Sequence, residues 1–551
     1  MDSTRFILLT SWLVVLLLLY QAWQQDYAIS QTSADTPLVE PMDQSSGDVP
    51  GIPAADTASA SEVPLPLDNS NSDSRLIEIH TDVFRLLVDT RGAGVVRAEL
   101  KQFPVSLDQA DAALVLMDRT RELYYISQGG LLSNLEAPTH ETLYQSGADT
   151  YALADNADTL EVPFTWRSGN GLTVTKTYVL QRGRYLLDIR YEIANDTGAP
   201  WTGWMYEQIK RNNPGRSSMF GTYTYTGAVV SSPENRYEKI SFNDIEDQEQ
   251  GLDISDGWVA MIQHYFLTAL IPGDKTETYH FYTRSLSDGN FAIGMRTPPL
   301  TVAPAAVSTT SEQLYIGPKA QEDLKQITDG LDLTVDYGFL WFLAKPLFWC
   351  LDKFHELTGN WGWSIILLTV MLKLVFYPLS AAGYRSMANM RKIQPRLMAL
   401  RDRYKDDKAR MNQALMQMYK EEKINPMGGC FPILVQIPVF LALYWVLLES
   451  VEMRQSGFIF WIQDLSSPDP YFILPLVMGI TMFIQQKLNP APLDPVQAKV
   501  MSVLPVVFTV FFAFFQSGLV LYWVVNNILS IAQQWMIVRN LEKAGVKTSG
   551  S

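Results

Sequence analysis

Two cysteines in 551 residues exclude a disulfide framework, and nothing around Cys350 or Cys430 has metal-ligand spacing. The five histidines (His80, His140, His264, His280 and His355) are scattered, with no His-Glu-x-x-His pair for a metal hydrolase. No Walker-type phosphate loop occurs, so nucleotide hydrolysis has no sequence basis. No cofactor, metal or catalytic constellation is expected. The apolar runs of the second half also hold no Asp or Glu deep inside them. Ion-coupled transporters carry such carboxylates, or His chains, for proton relay, and this chain shows no clear inverted repeat either.

Whole-chain averages conceal two unlike parts. Mean hydropathy is near zero and the formal net charge is −15. Residues 1–330 hold 23 Lys and Arg against 43 Asp and Glu, whereas residues 331–551 hold 20 against 15. The acidity belongs to the first part, and apolar runs with a basic insert make up the second.

An apolar run at 6–20 has signal-peptide length. No small-x-small cleavage site directly follows it, and Tyr20 and Trp23 suit an interfacial aromatic belt. Residues 1–24 are therefore expected to be an uncleaved transmembrane signal anchor with a cytoplasmic N-terminus. Residues 25–74, rich in Ser, Asp, Pro, Thr and Gly, bury too little apolar surface to offset ordering and read as a flexible periplasmic linker. From 75 to 330, stretches such as "RLIEIHTDVFRLLVD", "LTVTKTYVL", "YLLDIRYEI" and "YHFYTR" are strand-like, punctuated by Gly, Asn and Asp clusters. They predict one large antiparallel β-sandwich outside the cytoplasm. Residues 331–357 have helical apolar spacing interrupted by charges, which fits an amphipathic helix in the membrane surface. A helix packed on the β-domain is the alternative.

Five apolar runs follow, at 361–380, 431–448, 471–484, 500–515 and 519–538. Several are shorter than the ~20 residues that a bilayer core requires, which suggests local thinning or helices buried against one another. The expected division is a second transmembrane helix at 358–380, a cytoplasmic helical hairpin at 381–429, helices three to six with their loops at 430–538, and a cytoplasmic tail at 539–551. The anchor makes six spans. Eleven Lys and Arg between 380 and 430 mark the cytoplasmic side. Within that insert, Met387, Met390, Ile393, Leu397, Leu400 and Tyr404, then Met411, Leu415, Met418 and Glu422, recur at three- and four-residue steps. They predict two antiparallel helices along a narrow seam. Such an arm suits contact with an emerging chain or ribosomal RNA, or is a solvated hairpin whose charges only set topology.

Lys373 is a lone cation in "LLTVMLKLVFYPLS". An ionised side chain near the bilayer centre costs about 2.5–3.5 kcal/mol on insertion scales. Lys373 lies roughly midway along its run, where snorkelling is difficult. Thr369 shares its helical face. Gln436 lies inside the next run, and Tyr522, Asn526 and Asn527 inside the last. A cation among polar residues, without a buried counter-ion, suggests a wet pocket that attracts negative charge. The bland alternative has Lys373 meeting only a headgroup or a backbone carbonyl.

The segments "MDSTR…QAWQQD", "GWVAMIQHYF", "LDLTVDYGFLWF", "NWGWSI", "NPMGGCFPILVQIPVFLALY" and "SGLVLYWVVNN" together resemble the YidC-type membrane protein insertases of Gram-negative bacteria, in the Oxa/Alb insertase family. The resemblance runs nearly end to end. It implies an α-helical polytopic membrane protein with a five-helix core, plus a periplasmic β-super-sandwich like that of sugar mutarotases. The core would enclose a hydrophilic groove open to cytoplasm and lipid. Lys373 falls on the groove cation. Thr369, Tyr522 and Trp523 would line the groove or its mouth, beside Gln436 and Asn526. Phe440, Met478 and Phe511 would lie along a sliding face for the substrate. The family typically has Arg where this chain has Lys373, so bidentate guanidinium contacts are in doubt while the positive charge is kept.

The expected function is insertion and folding of bacterial inner-membrane proteins, alone or with the Sec translocon. Expected partners are nascent inner-membrane proteins, Sec components, membrane lipids, and the ribosome or targeting factors at the basic hairpin and tail. Two rivals are a polytopic small-molecule transporter, weakened by the missing carboxylates, and a membrane-anchored periplasmic carbohydrate-active protein, for which no His/Glu pair can be identified.

Overall fold

The computed structural model describes residues 48–51, 74–215, 224–404, 407–422, 431–489 and 495–548. The expected anchor and most of the expected linker lie outside the described residues.

Strands dominate as far as Pro318. They form one sheet of eleven strands and one of nine. Among the described residues every strand pairing is antiparallel except that of Leu76–His80 with Thr150–Ala152. The reason is visible in Leu172–Gln181, whose residues alternate strictly between buried and part-exposed, as a period of two demands. It pairs with Leu186–Asn195, and Gly171 in the preceding turn has φ +100, a conformation open to glycine. Val174, Tyr178, Ile189 and Ile193 of the smaller sheet share one apolar core with Ile209, Phe281, Ile293 and Met295 of the larger.

A charged pair sits inside this sandwich. Lys176 Nζ lies 3.0 Å from Glu207 Oε1, with both side chains fully enclosed. Tyr191 donates its hydroxyl to the same oxygen at 2.8 Å. Gly129 opposes Glu207 in register, and a Cβ there would fall 2.2 Å from the carboxylate carbon. Glycine is thus what leaves the carboxylate room.

Ten helices are described: α1 (Phe242–Asp247), α2 (Gln321–Ile327), α3 (Trp341–Thr358), α4 (Trp361–Val375), α5 (Tyr377–Arg403), α6 (Lys408–Glu421), α7 (Phe431–Glu449), α8 (Ile473–Leu488), α9 (Pro495–Phe512) and α10 (Ser517–Thr548). Helix α3 buries Ala344, Leu347, Phe348 and Leu351 and turns Trp341, Phe342, Trp349 and Leu357 outward. Gly359 at φ +64 ends it, and Asn360 caps α4 by accepting from the Trp363 amide.

The apolar run at 361–380 is not one helix. It breaks at Phe376, and α4 and the first part of α5 meet at 67°. Pro378 opens α5. It has no N–H to bond the Leu374 carbonyl, and its ring would clash with that carbonyl in a continuous helix. Lys373 therefore lies in the last turn of α4, just before the bend, rather than in the middle of one straight helix. Among the described residues no single helix is both long and apolar enough to cross a membrane; the bent pair meets both criteria together. Helices α5 and α6 fold back on each other, with Ile393 and Leu397 buried and Arg396 paired to Glu422 at 2.7 Å.

The β-domain is joined to the helices at the C-terminal end of α7. Lys319 Nζ meets Glu449 Oε2 at 3.0 Å, both side chains being about 95% enclosed or more (3% and 5% exposed). The His264 ring contacts the Leu448 carbonyl at 2.8 Å through Nε2, and Arg454 donates to the Pro104 carbonyl at 2.8 Å.

Candidate functional site

Helices α4, α5, α7 and α10 converge on a cleft lined by Thr369, Leu372, Lys373, Phe376, Leu379, Ser380, Gln436, Val439, Tyr522 and Asn526. Its empty space, open solvent included, is about 390 Å³, and about 10 Å³ admits the centre of a water molecule, room for roughly one water. No carboxylate is among its lining residues.

A polar chain ties α4, α7 and α10. Lys373 Nζ donates to Ser530 Oγ at 2.7 Å. Ser530 donates in turn to the Asn526 backbone carbonyl at 2.6 Å. Gln436 Nε2 donates to Asn526 Oδ1 at 2.7 Å. Tyr522, Asn526 and Ser530 follow one another at four-residue steps and so share one face of α10. Lys373 is half-buried, and Leu372 and Phe376 line the same cleft. Among the described residues the ammonium thus bonds a neutral hydroxyl. A carboxylate in the place of that hydroxyl would add attraction between opposite charges to the hydrogen bond.

Thr369 is enclosed, and its hydroxyl proton is taken by the Ile365 carbonyl at 2.6 Å. Trp523 stands behind the lining. Its ring meets Phe440 edge-on at 4.7 Å and lies 5.1 Å from Phe512. Phe440 also stacks on Tyr522 at 6.2 Å. Asn527 points elsewhere, to Thr481 Oγ1 at 3.1 Å. The three residues expected on a sliding face are not equivalent. Phe440 is half-buried, Phe511 is 53% exposed and Met478 is fully enclosed. Outward apolar side chains continue from Phe511 along α9 through Val510, Val507, Val506 and Val503, and along α7 through Leu434, Ile437 and Leu441.

Ser530 was the missing member of the site. Its four-residue spacing from Asn526 was a signal, but serine is unremarkable in a helix, and the hydroxyl gains meaning only from the ammonium of α4.

Residues 76–350 match the family described as YidC periplasmic domain, and residues 353–544 the family described as 60Kd inner membrane protein. The chain is 51% identical to a membrane protein insertase YidC of Thioalkalivibrio sulfidiphilus, over 99% of this chain and 100% of that one. It is 47% identical to the corresponding protein of Stutzerimonas stutzeri, over 99% and 100%. A crystal structure of an active YidC insertase with its first transmembrane domain resolved aligns with 84% of this chain and 92% of that chain, at 20% identity and a TM-score of 0.39. A galactose mutarotase-like protein from Lactobacillus casei aligns with 44% of this chain and 99% of that chain, at 12% identity and a TM-score of 0.32.

Proposed function

The chain belongs to the YidC family of membrane protein insertases, an inner-membrane family with a periplasmic domain, and we propose that its insertion site is the cleft around Lys373. The observation that carries this reading is the bond from Lys373 to Ser530. It holds a cation on a neutral partner that a carboxylate can outcompete. An acidic or polar segment of a nascent inner-membrane protein enters from the cytoplasm, parts α4 from α10, and takes the place of Ser530 on the ammonium. The substrate's apolar segment then moves along the outward face of α7 and α9, past Phe440 and Phe511, into lipid. Met478 joins that face only when the helices separate. Partition of each buried methylene contributes about 0.8 kcal/mol, and the membrane potential acts on acidic segments in the same direction. No nucleotide is hydrolysed.

In this reading the protein is multi-pass, with both termini in the cytoplasm and the β-domain in the periplasm. Six spans cross a locally thinned bilayer, since α7, α8 and α9 are short. Helix α3 lies in the outer membrane–water interface, its exposed Trp341, Phe342 and Trp349 among headgroups. The basic α5–α6 hairpin and the tail receive the ribosome or targeting factors, and the β-domain faces the Sec translocon.

The test is insertion of a short single-span substrate with an acidic translocated tail into proteoliposomes. Lys373→Arg should retain insertion and Lys373→Glu should lose it. Equal activity of the Glu variant refutes attraction by the ammonium.

A further inference from the structure

One short piece of the linker is described, and it lies on the β-domain. Residues 48–51, Asp-Val-Pro-Gly, cross three adjacent strands of the larger sheet: Trp201–Asn212, Asn290–Arg296 and Thr278–Ser285. Gln208 Nε2 donates to the Asp48 carbonyl at 3.1 Å. Arg284 donates to the Val49 carbonyl and Arg296 to the Gly51 carbonyl, each at 3.2 Å. Lys210 forms an ion pair with the Asp48 carboxylate and a second with Asp288 at 2.7 Å. Its ammonium lies 5.4 Å from the Tyr124 ring centre.

Strand register explains why these groups gather. Tyr206 opposes Arg296, Gln208 opposes Gly294, and Lys210 opposes Ala292; Ala292 in turn opposes Arg284. All four donor side chains therefore project from the face opposite Ile209, Ile293 and Met295, which fill the core. Gly294 leaves open the space in which the Tyr282 hydroxyl reaches Gln208 Oε1 at 2.9 Å, because a Cβ there would fall 2.5 Å from that hydroxyl. Gln208 and Lys210 are 0% and 4% exposed. Buried donors of this kind require acceptors. The linker supplies three carbonyls and one carboxylate, and its buried Pro50 brings no N–H that would go unbonded.

The geometry points to a peptide-binding site on this face of the β-domain, one that takes a short bent acidic segment of Asp-x-Pro type and holds the chain's own linker in cis. Contacts from Gln208, Arg284 and Arg296 go to backbone carbonyls and so do not depend on side-chain identity. Lys210 selects an acid at the first position, and the buried third position selects a residue without an amide hydrogen. The clip also divides the linker. The stretch between the expected anchor and the domain falls from about 50 residues to about 24, and its greatest reach from roughly 170 Å to roughly 80 Å. This inference stands independently of how Lys373 works.

The experiment uses the full chain in lipid nanodiscs. Val49→Cys serves as a reporter of alkylation rate, read by peptide mass spectrometry, with and without Asp48→Lys, which alters only the linker. A labelled synthetic peptide of residues 46–53 is titrated into the protein with native Val49, again with and without Asp48→Lys. Loss of an ion pair at a buried ammonium should raise the alkylation rate roughly tenfold. The peptide should bind the Asp48→Lys protein, whose site is vacated, and not the protein with native Asp48. Arg296→Gln combined with Asp48→Lys should weaken that binding. Equal alkylation rates with and without Asp48→Lys, or peptide binding to neither protein, overturns the proposal.

Discussion

Lys373 on α4 and Ser530 on α10 meet through a single hydrogen bond of 2.7 Å, from the ammonium to the hydroxyl. If Ser530 holds the place of a substrate carboxylate, supplying a permanent carboxylate there should block the site. Ser530→Asp is expected to lower insertion of acidic-tailed substrates roughly tenfold, the scale of one hydrogen bond to a charged group. Ser530→Ala should preserve or increase it. Proteoliposome insertion measures both, and wild-type behaviour of Ser530→Asp would contradict the exchange of partners.

The enclosed pair of Lys176 and Glu207 makes the sandwich intolerant of single changes. Glu207→Ala leaves the ammonium without its counter-ion and the Tyr191 hydroxyl without its acceptor and should destabilise the β-domain by about 3–5 kcal/mol. Lys176→Met together with Glu207→Leu should lose less than Glu207→Ala alone, because no charge is stranded. Denaturant unfolding followed by far-UV circular dichroism compares the two.

His140 gives the β-domain a pH dependence. Burial pushes its imidazole down to about 4 from the ordinary 6.5, and its Nδ1 lies 2.6 Å from the Tyr206 hydroxyl. The unfolded chain therefore binds the proton more readily than the folded one. Stability from this group is complete above pH 6.5 and is lost progressively down to about pH 4, by up to about 3 kcal/mol. His140→Asn should flatten melting temperature against pH in that window. An unchanged profile would assign the acid sensitivity to other groups.

Helices α8 and α9 meet at a glycine. A Cβ on Gly479 would fall 2.0 Å from Thr509 Oγ1, and that hydroxyl already donates to the Pro505 carbonyl at 2.8 Å. Gly479→Ala should lower thermal stability in detergent by an amount typical of overpacking, about 1–3 kcal/mol. Adding Thr509→Ala should restore most of it. Failure of the second change to rescue would place the strain elsewhere on the helix.

Much of the site was legible because polar residues in apolar runs are rare. Lys373, Gln436 and Asn526 stood out in that way, and the structure places all three in the lining of one cleft. Phe440 and Met478 did not differ in sequence, since both are apolar residues in apolar helices. Only packing sets one against Tyr522 and Trp523 and seals the other inside. The helix break at Phe376 had a visible cause in Pro378, but proline early in a helix and proline within a span look alike until the backbone is traced. Strand alternation revealed the sandwich. The pairing of Lys176 with Glu207 joins residues on different sheets, and no local pattern anticipates it. The linker's clip was equally hidden, because composition marks 25–74 as unable to form a core and is silent about four residues lying on another domain's surface.

The joint between Lys319 and Glu449 bears on where the periplasmic domain can be cut away. A truncated chain beginning after Lys319 keeps Glu449 at the end of α7 and discards its cation. One that retains residues 319–334 keeps the ion pair and the bond from Lys319 to the Thr334 carbonyl. Two deletions of nearly equal size would thus leave membrane helices of different soundness. Loss of insertion in the longer deletion alone would report on a stranded carboxylate, not on any part the domain plays in handling substrates.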